Sequence, residues 1–206
     1  MKSTLIYVHD PMCSWCWGFS EVYRQLVEKL PPGLKVERLV GGLAADSNVA
    51  MPEQMQMMLQ QTWQRIEQMI PGVNFNFDFW SLNQPRRSTY PACRAVIAAR
   101  EQGDEYDLAM TQQIQLAYYQ QARNPSDDET LIELAAEIGL DTPRFSTQLV
   151  ASHTHQQLLA EIERARSIGI DSFPSLVLEQ EGHYHQILTN YTEVGPILDQ
   201  IELTHL

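Results

Sequence analysis

Cysteine is scarce in this chain: there are three, Cys13, Cys16 and Cys93. A disulfide-stapled scaffold needs a denser, even set, so the fold must be held by its core. Basic residues are few as well. Lysine and arginine total 14 against 26 acidic residues, a formal net charge of −12, and those present, such as Arg86 and Arg87, gather into no long stripe. No nucleic-acid partner is expected, because displacing counterions from phosphates requires a positive field. An uninterrupted apolar run of about 18 residues, the length of a spanning helix, is missing too, so no membrane partner is expected. The opening MKSTLIYVHD has only a short apolar run, stopped by Asp10 and Pro11, and does not match a secretory leader. The expected location is cytoplasmic, where a Cys-x-x-Cys pair is more often catalytic or metal-binding than structural.

Low-complexity linkers and internal repeats are also lacking. What is present is ample apolar material, 44% of residues against 19% charged, in a chain of 206. That suits one domain carrying an insertion, or two small lobes.

TLIYVHD (4–10) is short, β-branched and aromatic and ends at a proline, as a buried strand does. Over 13–30, Phe19, Val22, Tyr23, Leu26, Val27 and Leu30 recur at three and four, the face of a helix that Pro31, Pro32 and Gly33 stop. LKVERLVGG then reads as a second strand, making a right-handed βαβ unit with parallel strands. The next hundred residues are helical in pattern. Pro52 opens a segment with Met55, Met58, Leu59, Thr62, Ile66 and Met69 on one face, closed by Pro71-Gly72; the methionines read as core filling rather than copper ligands. Further helices run from Pro91 to Gly103 and over 104–120. Ser126 and Glu129 form a candidate capping box before LIELAAEIGL, with Gly139 as its stop. A short helix begins at Pro143 and a longer one ends at Gly169. FPSLVLEQ reads as a strand, Glu181-Gly182 as a turn, HYHQIL as the hairpin partner, and 194–203 as a last helix. Removing the helical middle leaves an α/β unit of about 100 residues. The expected division is one domain from 1–44 and 151–206, with 45–150 as an inserted helical domain.

The chemistry concentrates in DPMCSWCWGF (10–19). Cys13 falls just past a strand at a helix start, where unpaired N–H groups and the helix dipole favour a thiolate. Cys16, one turn on, can attack a mixed disulfide on Cys13 and release the bound group. Position therefore assigns Cys13 as nucleophile and Cys16 as resolving thiol. Two blander readings compete. Small buried thiols explain two cysteines beside Trp15 and Trp17 less well, and a zinc site lacks ligands: only Cys93 and scattered histidines remain, with His183 and His185 explained as surface positions of a hairpin. No metal is expected.

Strand, Cys-x-x-Cys at a helix start, strand, helical insertion, then X-Pro before a hairpin and a last helix resembles the thioredoxin fold of DsbA-like thiol-disulfide oxidoreductases. DPMCSWCWGF, STYPACRAVIAAR, LAAEIGLD and GIDSFPSLVLE are similar to the cytosolic FrnE-like branch. The resemblance implies a four-stranded mixed sheet of order 2-1-3-4, with the large helical insertion. It implies a cis peptide at Phe173-Pro174 lying against the cysteine pair, and a Phe173 backbone that pairs with an extended substrate as an added strand does. The implied activity is that of an oxidoreductase or isomerase acting on peptide or protein disulfides. No bound cofactor is implied; glutathione or a dithiol partner would give or take electrons. Two features depart from the family. Ser14-Trp15 lacks the histidine of the strongly oxidising periplasmic members, so their very low thiol pKa does not carry over. With Cys93 the one cysteine left, a second redox pair is excluded.

Around the pair, Trp15 is a candidate apolar surface for substrate, and Asp10 a candidate proton relay to Cys16, with His9 less supported. Cys93 shares a helical face with Val96, Ile97 and Arg100 and reads as a buried core thiol. Two other functions are weighed. The chain is also similar to the glutathione-dependent branch of 2-hydroxychromene-2-carboxylate isomerases and kappa-class glutathione transferases, which usually place serine where Cys13 stands. The other is a non-catalytic peptide- or partner-binding protein.

Overall fold

The computed structural model describes residues 3–205. Met1, Lys2 and Leu206, the outer ends of the expected thioredoxin-like domain, lie outside the described residues. Strand β1 (Ser3–His9) leads through helix α1 (Ser14–Lys29) to β2 (Lys35–Val40). Helices α2 (Glu53–Met69), α3 (Phe79–Leu82), α4 (Tyr90–Arg100), α5 (Glu105–Tyr119), α6 (Asp128–Glu137), α7 (Thr142–Leu149) and α8 (Ser152–Ser167) follow. The chain returns through β3 (Ser175–Gln180), β4 (His183–Ile187) and α9 (Gly195–His205). The sheet has the order β2-β1-β3-β4. β1 is parallel to β2, with Leu5 opposite Val36, and antiparallel to β3, with Leu5 opposite Leu178. β3 and β4 close as an antiparallel hairpin. This is a thioredoxin-like fold with a large helical insertion, as the sequence pattern and the resemblance imply.

The alternation of β1 explains the two layers. Leu5 and Tyr7 point to one face, where Phe19, Val22 and Leu26 of α1 and Ile197 and Ile201 of α9 cover them. Ile6 and Val8 point to the other, against Leu39, Val177 and Ala165 of α8. Leu5, Ile6 and Val8 are fully buried, each contributing about 1.5–3 kcal/mol of apolar transfer. A third and larger core fills the insertion, around Trp63 and α4.

The insertion is tied to the sheet by buried charges. Arg38 of β2 pairs with Asp107 of α5, which pairs with Arg100 of α4, which reaches Glu161 of α8 at 2.6 Å. Glu161 Oε2 in turn accepts the Val40 amide at 2.7 Å. An Arg38 guanidinium N–H also lies 3.0 Å from His9 Nε2. Each charge has an opposite partner, which is what allows the group to stay buried.

Two sequence expectations are corrected, and one element is added. The methionines of α2 are not core filling: Met58 and Met69 are 53% and 51% exposed, and of the expected face only Ile66 is buried, together with Trp63 beside it. Trp63 wins because its ring packs among Phe75, Phe77 and Tyr119, a larger apolar gain than flexible thioethers offer. The capping box at α6 does not form. Asp127 is the N-cap, and Ser126 Oγ instead donates to the Ser88 carbonyl at 2.7 Å. A side-chain cap is found at α7, where Asp141 accepts from the Arg144 amide. Finally, the short α3 belongs to an aromatic stretch, FNFDFW, that carries no helical period.

Candidate active site

β1 ends at His9, and the DPMC turn brings Cys13 to the N-cap of α1 with extended backbone, its amide bonded to the Asp10 carbonyl at 3.0 Å. Cys13 and Cys16 are free thiols, with Cys13 7% exposed and Cys16 fully buried. The asymmetry suits one sulfur that meets a partner and one that waits behind it. As a thiol, Cys13 donates to the Phe173 carbonyl at 3.5 Å. As a thiolate it accepts from the Cys16 thiol, the largest stabilising contact, and from the Cys16 and Trp15 amides, which outweigh burial and lower its pKa. Cys16 shows the converse. Burial first, then its role as donor to Cys13, hold its thiol well above the ordinary range.

Phe173 belongs to the loop before β3, and the Phe173–Pro174 peptide is cis. Gly41, just past β2, permits the close approach of that loop, because a Cβ there would overlap the Phe173 ring. Gly41 N also donates to the His9 carbonyl at 2.7 Å, extending the ladder beside the site.

Asp10 is fully buried. Its carboxylate accepts from the Met12 amide at 2.8 Å, the Leu43 amide at 2.7 Å, Thr89 Oγ1 at 2.7 Å and Cys93 Sγ at 3.4 Å. Burial raises its pKa against the pull of those four donors. The hydrogen bond it offers Cys16 comes from its backbone. Its side chain thus joins the cysteine turn to the loop after β2 and to the start of α4. Cys93 is a buried thiol on α4, raised well above its ordinary pKa by burial and then by the Asp10 charge. His9 is buried against Arg38 rather than placed beside a cysteine; burial, then the Arg38 and Arg100 charges, keep it neutral.

Trp15 is half-buried, its ring 5.2 Å from that of Tyr191, with the Arg65 guanidinium 6.0 Å from its centroid. Trp17 stacks on Tyr119 at 5.7 Å and donates to the Asn74 carbonyl, so it belongs to the insertion's core. Between the cysteine turn, the Phe173 loop and the insertion runs a cleft of about 320 Å³, whose walls include Cys13, Trp15, Trp63, Arg87, Tyr118 and Phe173. A separate pocket of about 170 Å³ reaches Cys16 past Tyr7, Tyr23 and Leu108. A larger groove of about 540 Å³ lies over the Arg38–Asp107–Arg100–Glu161 group, away from the cysteines. Sequence reasoning passes over Trp63 and Tyr118 and holds Thr89 only as part of STYPACRAVIAAR; all three lie 50 or more residues beyond Cys13 and reach its cleft only through folding. Their one local signal is the polar pair Ser88-Thr89 before a proline-opened helix.

A thioredoxin-like sheet with a Cys-x-x-Cys at the first helix and a helical insertion defines a DsbA-like thioredoxin-fold protein, the class of the thiol-disulfide oxidoreductases. The chain belongs to the thioredoxin family, whose model matches residues 6–193. A Nitrosomonas europaea protein provisionally assigned as a disulfide isomerase superposes over 100% of both chains, with a TM-score of 0.88 and 27% identity. The cytosolic disulfide reductase DsbM from Pseudomonas aeruginosa matches over 98% of each chain at 25% identity and a TM-score of 0.80, and its structure with GSH at 0.77. Among curated proteins, the ClpXP adapter protein SpxH of Halalkalibacterium halodurans is 23% identical over 172 residues, 82% of this chain and 56% of that protein. The chain thus spans little more than half the length of the curated relatives it matches.

Proposed function

We propose that the protein is a cytoplasmic dithiol–disulfide oxidoreductase or isomerase acting on peptide or protein disulfides. The observation that carries this reading is the arrangement of Cys13, its sulfur at a helix N-cap between the Phe173 carbonyl and the buried Cys16 thiol. The Cys13 thiolate attacks a substrate disulfide and expels one thiolate. Cys16 then loses its proton and attacks the Cys13 sulfur, releasing the second substrate thiolate and leaving a Cys13–Cys16 disulfide. The substrate leaves reduced by two electrons, and a dithiol or glutathione restores the enzyme. Phe173 and Pro174 offer the edge along which an extended substrate lies, and Trp15 an apolar wall. Asp10 acts in this scheme as the tether and local charge of the cysteine turn. The location follows DsbM, described as cytosolic; among the described residues no helix is long and apolar enough to cross a membrane.

The test is reduction of insulin by a dithiol donor. Cys13→Ser should abolish turnover, and Cys16→Ser should accumulate mixed disulfides with substrate; full activity in Cys13→Ser would overturn the reading.

A second reading, an adapter that binds a protein partner without redox turnover, is favoured by the SpxH relatives. It requires an unreactive Cys13. The intact cysteine pair speaks against the glutathione-dependent isomerase or transferase alternative.

A further inference from the structure

The charged side chains of the groove over the insertion and of the cleft beside Cys13 differ in one respect. In the groove over the insertion, Arg38, Arg100 and Arg164 are each paired with a carboxylate. In the cleft beside Cys13 the charged residues are Arg86, Arg87 and Asp171. Arg86 is neutralised, bonded to the Asp127 carboxylate and to the Ser126 carbonyl at 2.8 Å. Asp171 is exposed. Asp10, buried under Thr89 of the cleft wall, is closed off by its four donors. Arg87 is half-buried in the cleft wall, its charge felt at neighbouring Tyr118, and among the described residues it has no carboxylate or hydrogen-bond partner. A guanidinium held in a cleft wall with five donors that no described protein group accepts can offer them to a ligand entering the cleft, in exchange for water. In a protein of net charge −12, carboxylates to pair it are not in short supply, yet no described one forms an ion pair with it, Asp171 of the same cleft included.

We propose that Arg87 is the receptor for a carboxylate on the substrate, and that the cleft accepts a small, carboxylate-bearing thiol or disulfide whose sulfur is exchanged at Cys13. At about 320 Å³ the cleft is at the lower end of the range that holds small ligands. Its other walls include the aromatic Trp63, Tyr118 and Phe173, so the paired guanidinium sets the orientation and the rings supply much of the contact. The proposal rests on Cys13 as the nucleophile. In the exchange, the Cys13 thiolate bonds to one sulfur of the disulfide held by Arg87 and the other sulfur leaves as thiolate. Cys16 then displaces the bound half, so the disulfide gains two electrons and the dithiol loses them.

Three disulfides of different charge provide the probe: oxidised glutathione (anionic), 2-hydroxyethyl disulfide (neutral) and cystamine (cationic). Stopped-flow oxidation of the reduced wild-type protein should rank them in that order, against the sign of the whole-molecule charge. In Arg87→Gln the ratio of the glutathione rate to the 2-hydroxyethyl rate should fall about tenfold, the loss of one charged hydrogen-bonded pair, and Arg87→Lys should recover part of it. A wild type that favours cystamine, or an unchanged ratio in Arg87→Gln, overturns the proposal. Alkylation of Cys13 by iodoacetate against iodoacetamide, read by peptide mass, separates the two layers. A ratio that drops in Arg87→Gln supports the carboxylate receptor, an unchanged ratio overturns it, and a Cys13 inert to both reagents overturns the redox reading beneath it.

Discussion

Cys13 and Cys16 differ in depth of burial and in the direction of the hydrogen bond between them. Both are buried against the same turn, yet one thiol donates and the other receives, and this sets which sulfur carries the negative charge. The rate of Cys13 alkylation by iodoacetamide should therefore inflect below the ordinary thiol range of about 8.5. Cys16→Ala, which removes the largest stabilising donor, should move that inflection upward. An ordinary, unshifted profile in both proteins would favour the adapter reading instead. Position after a strand is enough to identify the cysteine pair in the sequence. The fourfold bonding of Asp10 is not legible there, because Leu43, Thr89 and Cys93 approach it from two other segments.

At the level of elements, the site depends on how closely the loop before β3 approaches the end of β2. Gly41 is the residue that allows it, since any side chain would meet the Phe173 ring. Gly41→Ala should displace Phe173 and lower insulin-reduction activity by about tenfold or more, a shift of the order of an ångström in a positioned group. Unfolding by urea should move less, because Phe173 is only half-buried. An unchanged rate would mean that the loop is free to yield. α2 shows the limit of periodicity. A methionine-rich stripe and a tryptophan-centred stripe lie one residue apart along the same helix, and only the aromatic neighbours from 75–80 decide which is buried.

For the molecule as a whole, the buried ionic group joins β1, β2, α4, α5 and α8, and its weakest point toward acid is His9. Burial, Arg38 and Arg100 depress the His9 pKa well below its usual value, so the unfolded chain takes up this proton before the native one. Stability contributed by neutral His9 is complete above about pH 6.5 and is lost as pH falls through the window below it, by up to about 1.4 kcal/mol per pH unit. Urea unfolding at pH 7 and pH 5.5 should show that loss, and His9→Gln should show a shallower slope. Equal slopes in the two proteins would mean that the proton is taken up elsewhere.

Local periodicity and punctuation were enough to specify the strands, most helices, the βαβ start and the cysteine pair, because each depends on residues within one or two turns of one another. Proline and glycine at the ends of segments and alternation within strands are short-range physics. Pairing across the chain is a different matter. The burial of Trp63 over Met58, the enclosure of Asp10, the ion-paired tie between sheet and insertion, and the placing of Arg87 in the cleft of Cys13 all depend on contacts between segments distant along the chain. Those contacts are made by packing and charge balance in three dimensions, which no local pattern encodes.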